Sequence, residues 1–280
     1  MNYESLPEYL SYLSYGFRTL SSEEHFKLEH SLRNLQRAQQ LNSVYFLGKL
    51  EGMEADYYLA FGCPGQDLFS GRKLFYSLNL IDWYLLLEPK SWTSDWDQIK
   101  SMFRGDPAFQ LTVDFGPQFT LDEDLVPIEG ASRILVLKEQ DRLWFVVSRL
   151  LEEAAVVPRG VLYHTTDGKS VINSFFDGMP VCDGVDLRNY HHFRLPVTEP
   201  RKNLLKRDKC SYFFDVFDPA VYCIPKVESF DLTRDPMRDV VLLKSLQWPG
   251  MVSFQRANSK AYGFFYFGDG RKNWNLMFKF

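Results

Sequence analysis

Apolar positions along this chain change period more than once, and the changes mark out its elements. Over residues 5–40 they recur at helical spacing, first at Leu6, Leu10, Leu13 and Phe17, then at Leu28, Leu32 and Leu35. This predicts two helices, the first tolerating Pro7 in its opening turn. Ser21 followed three residues later by Glu24 is a capping box, so the second helix should start there. Lys27, Arg33 and Arg37 fall away from its apolar stripe.

From Val44 the period drops towards two. Residues 44–50 and 56–62 read as arms of a hairpin around Glu51 and Gly52, and 73–79 as a third strand. Residues 96–103 predict a short helix stopped by Gly105, Asp106 and Pro107. Residues 114–130, with their prolines, glycines and the acidic run Asp122, Glu123 and Asp124, predict a surface loop. The broadest apolar face lies over 139–155, where Leu143, Val146, Val147, Leu150, Leu151 and Ala154 share one side and Pro158 ends the helix. Asp167 and Gly168 then sit between two strand-like runs as a hairpin signal. Residues 178–225 are loop-rich.

From Lys226 strands return and persist. A strand ending near Ser245, a turn at Trp248, Pro249 and Gly250, an alternating strand through Val252 and Phe254, and the aromatic run Tyr262 to Phe267 form a β-meander. The sum is an α+β fold with an antiparallel sheet on which the N-terminal helices and the long central helix pack. With no linker or repeat, residues 1–280 are expected to form a single domain. Its parts are helices over 1–42, a first sheet region over 43–135, a long helix and hairpin over 136–178, and the meander over 226–280.

The aromatic strand is two-sided. Tyr262, Phe264 and Tyr266 take one face, Phe265 and Phe267 the other, and neither suits water. Another part of the chain covers the second face, or a partner does. With Phe265 and Phe267 inward, Tyr262, Phe264 and Tyr266 are the candidate interface, because tyrosine buries its ring while keeping a hydroxyl for a polar partner.

Composition narrows the function classes. Aromatics make up 16% of the 280 residues, enough for a thick core and a contact surface besides. The formal charge of −4 lacks the basic face that nucleic-acid binding needs. Positive charge gathers at Arg201 and Lys202, Lys206 and Arg207, and Arg271 and Lys272, as solvated runs or as complements to an acidic partner surface. Cys63, Cys182, Cys210 and Cys223 form no close pair, and the N-terminus lacks a signal-peptide pattern. No run approaches the roughly 20 apolar residues of a membrane span. The expectation is a reduced, intracellular, soluble protein.

Chemistry is sparse. His191 and His192 with Cys182, Cys210 and Cys223 are too loosely spaced for zinc, and adjacent histidines in a strand point apart. Residues 263–272 carry Asp269 where a phosphate loop needs lysine. The acidic run at 122–124 lacks the alternation of a calcium loop, and no nucleophile elbow occurs. The expectation is no catalytic, cofactor-binding or metal site. The alternative is an intracellular enzyme or general adaptor whose site shows no motif; an enzyme would reveal itself by a concave pocket with perturbed titratable groups.

A series of blocks in fixed order gives a more specific reading: FLGKL at 46–50, ADYYLA at 55–60, RKLFYSLN at 72–79, FRGDP at 103–107, EQDRL at 139–143, VPRG at 157–160, FRLPV at 193–197, and 245–273. On these the chain resembles the radial spoke head protein 9 family of ciliary axonemes, related to the longer spoke head proteins 4 and 6. The resemblance implies a non-catalytic structural subunit of the radial spoke head in the cilium or flagellum, supporting spoke assembly and relaying signals between the central pair and dyneins. It implies as partners the homologues of spoke head proteins 4 and 6, the MORN-repeat head protein and the spoke protein 3 scaffold, and no cofactor, nucleic acid or membrane. Segments 87–102, 108–133 and 198–225 match poorly, so contacts there would be particular to this chain.

Overall fold

The computed structural model describes residues 1–16, 19–121, 127–197, 216–222 and 229–275, with side chains described except at 117–132 and 222. Phe17, Cys210 and Cys223 therefore lie outside the described residues, as do all the basic positions between 201 and 209.

Helical spacing at the start produces one α-helical turn, α1 (Leu6–Tyr9), which tightens into a 3-10 helix over Leu10–Gly16. Ser11 and Ser14 hydroxyls donate to the carbonyls of Glu8 and Ser11, a local alternative to a regular α-helix. Helix α2 (Ser22–Ala38) begins at the expected capping box. Ser21 Oγ accepts from Glu24 N–H at 3.2 Å, and the Glu24 carboxylate accepts from Ser21 N–H at 2.6 Å. Its buried stripe is Leu28, Leu32 and Leu35, each contributing about 1.5–3 kcal/mol by leaving water.

Four strands follow: β1 (Ser43–Leu50), β2 (Tyr57–Cys63), β3 (Lys73–Ser77) and β4 (Tyr84–Leu86). Next come β5 (Gln110–Leu121), β6 (Pro127–Lys138) and helix α3 (Glu139–Arg149), which ends in a π-helical turn over Leu150–Ala154. Short elements continue as β7 (Val156–Pro158), β8 (Leu162–His164), β9 (Ser170–Ile172), α4 (Val181–Gly184) and β10 (Tyr190–His192). The C-terminal meander is β11 (Phe230–Asp235), β12 (Val240–Ser245), β13 (Met251–Arg256) and β14 (Tyr262–Gly268).

The first four and last four strands are two meanders of one eight-stranded sheet, in the order β11-β12-β13-β14-β1-β2-β3-β4. Pairing is antiparallel as expected except at the seam, where β1 and β14 run parallel with Gly48 opposite Tyr266. One face packs under α1 and α2 through Val44, Phe46, Phe75, Phe254 and Phe265. The other carries Leu47, Tyr57, Phe61, Phe264 and Tyr266 against α3 and the segment after it. A smaller cluster around Val156, Tyr190, Phe230 and Val241 extends this layer under the C-terminal half.

Two local expectations are corrected. Residues 114–121 and 127–130 are strand rather than loop: β5 and β6 pair antiparallel, with register shifts between Asp114 and Pro117 and between Pro117 and Phe119, while 122–126 lie outside the described residues. Bulges accommodate the proline, and Leu111, Val113 and Phe115 keep alternating against the core. The helix expected over 96–103 is a 3-10 turn at Ser94–Gln98. Beyond it, the carbonyls of Ile99 and Ser101 accept from the Arg142 guanidinium at 3.3 and 2.7 Å instead of continuing a helix.

Candidate functional site

The strand expected to meet a partner lies inside the sheet. β14 is flanked by β13 and β1, and its Tyr262, Phe264 and Tyr266 face the α3 layer. Tyr266 is fully buried, and its hydroxyl accepts from Gly270 N–H at 2.7 Å. Phe264 lies 5.2 Å from the Phe193 ring and 6.3 Å from Phe61, centroid to centroid. Phe265 and Phe267 fill the opposite face under the N-terminal helices. The docking expectation is therefore corrected for Phe264 and Tyr266, since this chain supplies the cover itself. Tyr262 is partly buried and, with Phe264, lines a cavity of about 250 Å³ shared with Tyr45, Val161 and Phe176. Burial pushes the phenols of Tyr262 and Tyr266 upward, so both stay neutral hydrogen-bonding groups.

The histidine pair is structural in setting. His191 and His192 are buried in β10, opposite Val157 and Val156 of β7. Burial first, then the Arg194 charge, lowers His192 to about 3. Cys182 is exposed and Cys63 buried. Among the described residues no group of three or more His, Cys, Asp or Glu is placed to hold a metal, and no helix is long and apolar enough to cross a membrane.

Charged side chains do enter the interior, and sequence reasoning passed over them. Glu139 opens α3 and is buried. Its carboxylate accepts from the Tyr57 hydroxyl at 2.7 Å and from the N–H groups of Arg104, Gly105 and Asp106 at 2.7–3.1 Å. One turn on, the buried Arg142 guanidinium sits 4.1 Å from the Phe103 ring centroid while donating to the 99–101 backbone. Together they latch the 99–106 segment to the helix. A second latch fastens the segment around Lys272: Lys272 Nζ lies 2.9 Å from Glu153 and 3.6 Å from Asp97, and Trp248 Nε1 donates to Glu153 at 2.8 Å. These charged groups are engaged by groups of the same chain and tie loops to the helix. The sequence signal at Glu139 is a carboxylate at a helix N-terminus; the turn it holds is 34 residues away and gives no local sign.

Apolar surface concentrates at one edge of the sheet. Around β4, Ile81, Tyr84 and Leu87 are 58%, 53% and 62% exposed. Ile134 and Val136 on the outer face of β6 add to the exposed apolar area.

The molecule is thus an α+β sheet protein covered on both faces, with interior charges engaged in latches and apolar residues exposed along an edge. The chain belongs to the radial spoke head protein 9 family. It is 32% identical to the radial spoke head protein 9 homolog of Bos taurus over 285 residues, covering 99% of each chain. Identity is 31% over 285 residues to the Homo sapiens homolog and 32% over 288 residues to that of Danio rerio, again over 99% of both chains. Residues 1–62 also match the family described as radial spokehead-like protein.

Proposed function

We propose that this chain is a non-catalytic structural subunit of the radial spoke head in the axoneme of cilia or flagella. The observation that carries the reading is the end-to-end correspondence with radial spoke head protein 9 homologs, 99% of both chains. The single sheet built from strands within 43–86 and 230–268 supports it, because it ties the two parts of the chain into one unit suited to bearing load between partners. In this role the chain supports spoke assembly and relays signals between the central pair and dyneins. Its neighbours are homologues of spoke head proteins 4 and 6, the MORN-repeat head protein and the spoke protein 3 scaffold.

A tagged full-length copy expressed in ciliated cells tests this. The tagged chain should remain with the axoneme after detergent extraction and co-purify with spoke components. Complete release into the detergent-soluble fraction, with no spoke component bound, would sink the proposal.

A further inference from the structure

The rim of the sheet at β4 borders an open groove of about 610 Å³, closed on its other side by α3. Leu74, Leu85, Leu87 and Trp144 make its walls apolar, and Leu195 and Val197 form the far lip at 53% and 66% exposure. β4 is the last strand of the sheet, paired to β3 on one side. Its other side offers backbone donors and acceptors of the kind that an added strand satisfies.

Arg72 lines this groove and forms no ion pair among the described residues, although the Glu152 and Asp67 carboxylates lie near enough to attract its charge. Its guanidinium lies 5.5, 5.2 and 5.4 Å from the ring centroids of Phe61, Phe69 and Phe193. Three rings from three parts of the chain hold it in place, so its planar fork loses little freedom on binding. The nearby acids are shared with other donors: Asp67 accepts from the N–H groups of Phe69 and Ser170, and Glu152 also pairs with Arg149 at 3.5 Å. Arg194, also in the groove, is matched by Asp218 at 3.2 Å. The lining sets Arg72, Lys73 and Arg194 against Glu88 and Glu152, an excess of one positive charge.

We infer that this groove takes an acidic, extended segment of a partner protein, which pairs its backbone with β4 and seats a carboxylate on Arg72. The inference rests on the structural-subunit reading above and adds the chemistry of the partner. Apolar walls select alternate apolar side chains of an extended strand, and a bidentate guanidinium selects a carboxylate. The chain's own continuation beyond Val197 is a poor match, because residues 198–215 carry five basic against three acidic side chains.

The test uses the full chain and two synthetic peptides, one alternating valine with glutamate and one valine with glutamine. The glutamate peptide should bind about tenfold more tightly or better, the ordinary worth of a charge-assisted hydrogen bond. Arg72→Met should erase that preference, and Arg72→Lys should restore part of it. Leu87→Glu, at an exposed position that folding does not depend on, should weaken the glutamate peptide without moving Tm. Equal binding of the two peptides, or an undiminished preference in Arg72→Met or in Leu87→Glu, overturns the inference. So does a wild-type chain that sediments as a dimer and becomes monomeric on Leu87→Glu, since the occupant is then a second copy. Axoneme retention separates the two levels: a retained wild type beside an unimpaired Arg72→Met refutes the groove alone, whereas a wild type that is never retained refutes the subunit reading.

Discussion

The two outer strands of the sheet are built to opposite rules. At one edge β11 exposes Asp231, Thr233 and Arg234. Arg234 pairs with Asp239 at 2.9 Å, and the Tyr15 hydroxyl from the N-terminal 3-10 helix donates to Asp235 at 2.6 Å. Charge and side-chain ties of this kind keep an open strand from recruiting others. At the other edge β4 is three residues long, and the exposed side chains on and around it are the apolar Ile81, Tyr84, Leu85 and Leu87, with Asp82 and Glu88 the charged ones beside them. Its shortness and these two flanking carboxylates are its protection. The contrast teaches that aromatic content does not mark an exposed strand: β14 is more aromatic than either edge and is interior, so a contact surface is better sought in the chemistry of the edges.

Both edges belong to one sheet because of a seam three residues long, and breaking that seam is the most severe way to separate them. Gly48 has φ +146°, and a Cβ there would stand 1.9 Å from the Tyr266 carbonyl oxygen and 2.7 Å from its nitrogen. Backbone cannot give way as a side chain can, so Gly48→Ala must part β1 from β14. The expected loss is on the order of 5 kcal/mol or more, enough to leave the chain largely unfolded at room temperature. Urea unfolding followed by circular dichroism reads it directly. A variant within about 1 kcal/mol of wild type would show that the meanders do not depend on this contact.

A smaller effect asks whether the middle of the sheet is as sealed as the edge contrast requires. Tyr266→Ala removes a fully buried ring and leaves the Gly270 N–H without its acceptor, at a cost of about 3–5 kcal/mol. Tyr262→Ala, at the mouth of the small cavity, should cost about 1 kcal/mol. Thermal melts of the two single variants settle the order. Equal and small losses would return the tyrosine face to the surface and make the edges less distinctive.

Much of this architecture was legible in the sequence, and the failures have physical causes. Ser21 and Glu24 announce α2 because capping is local chemistry, and the C-terminal meander is legible because its turns are short. The pairing of β5 and β6 was hidden by Gly116 and Pro117, although Leu111, Val113 and Phe115 alternate in front of them. Period alone says nothing about which strands pair across long separations, so the parallel seam could not be read. The same limit applies to the candidate site. Phe264 and Tyr266 look available until α3 and Phe193 are laid over them, and Arg72 looks like an ordinary surface charge until three rings gather around it. The Glu139 latch needed the 103–106 turn brought back to the helix start, again a long-range event.

The gentlest probe is acid, which should act on one side of the sheet. His192 lies under the β11 edge, its ring 6.1 Å from that of Phe230, the first residue of β11. Its folded pKa is about 3 against an ordinary 6.5; desolvation is the main cause, the charges of Arg194 and His191 push the same way, and Asp218 opposes them. A lowered histidine pKa means that the folded chain refuses a proton that the unfolded chain accepts. The penalty is absent above about pH 6.5 and grows as pH falls from there towards 3, by at most about 1.4 kcal/mol per pH unit. Unfolding free energies at pH 7 and pH 5 should therefore diverge more for wild type than for His192→Phe, which cannot take up the proton. Amide exchange, corrected for intrinsic rates, should show protection lost in β10 and β11 at pH 5 while β3 and β4 hold theirs. Equal loss at both edges, or the same pH slope in His192→Phe, would mean that acid acts through dispersed carboxylates. Stability would then not distinguish the two edges, and their difference would lie in surface chemistry alone.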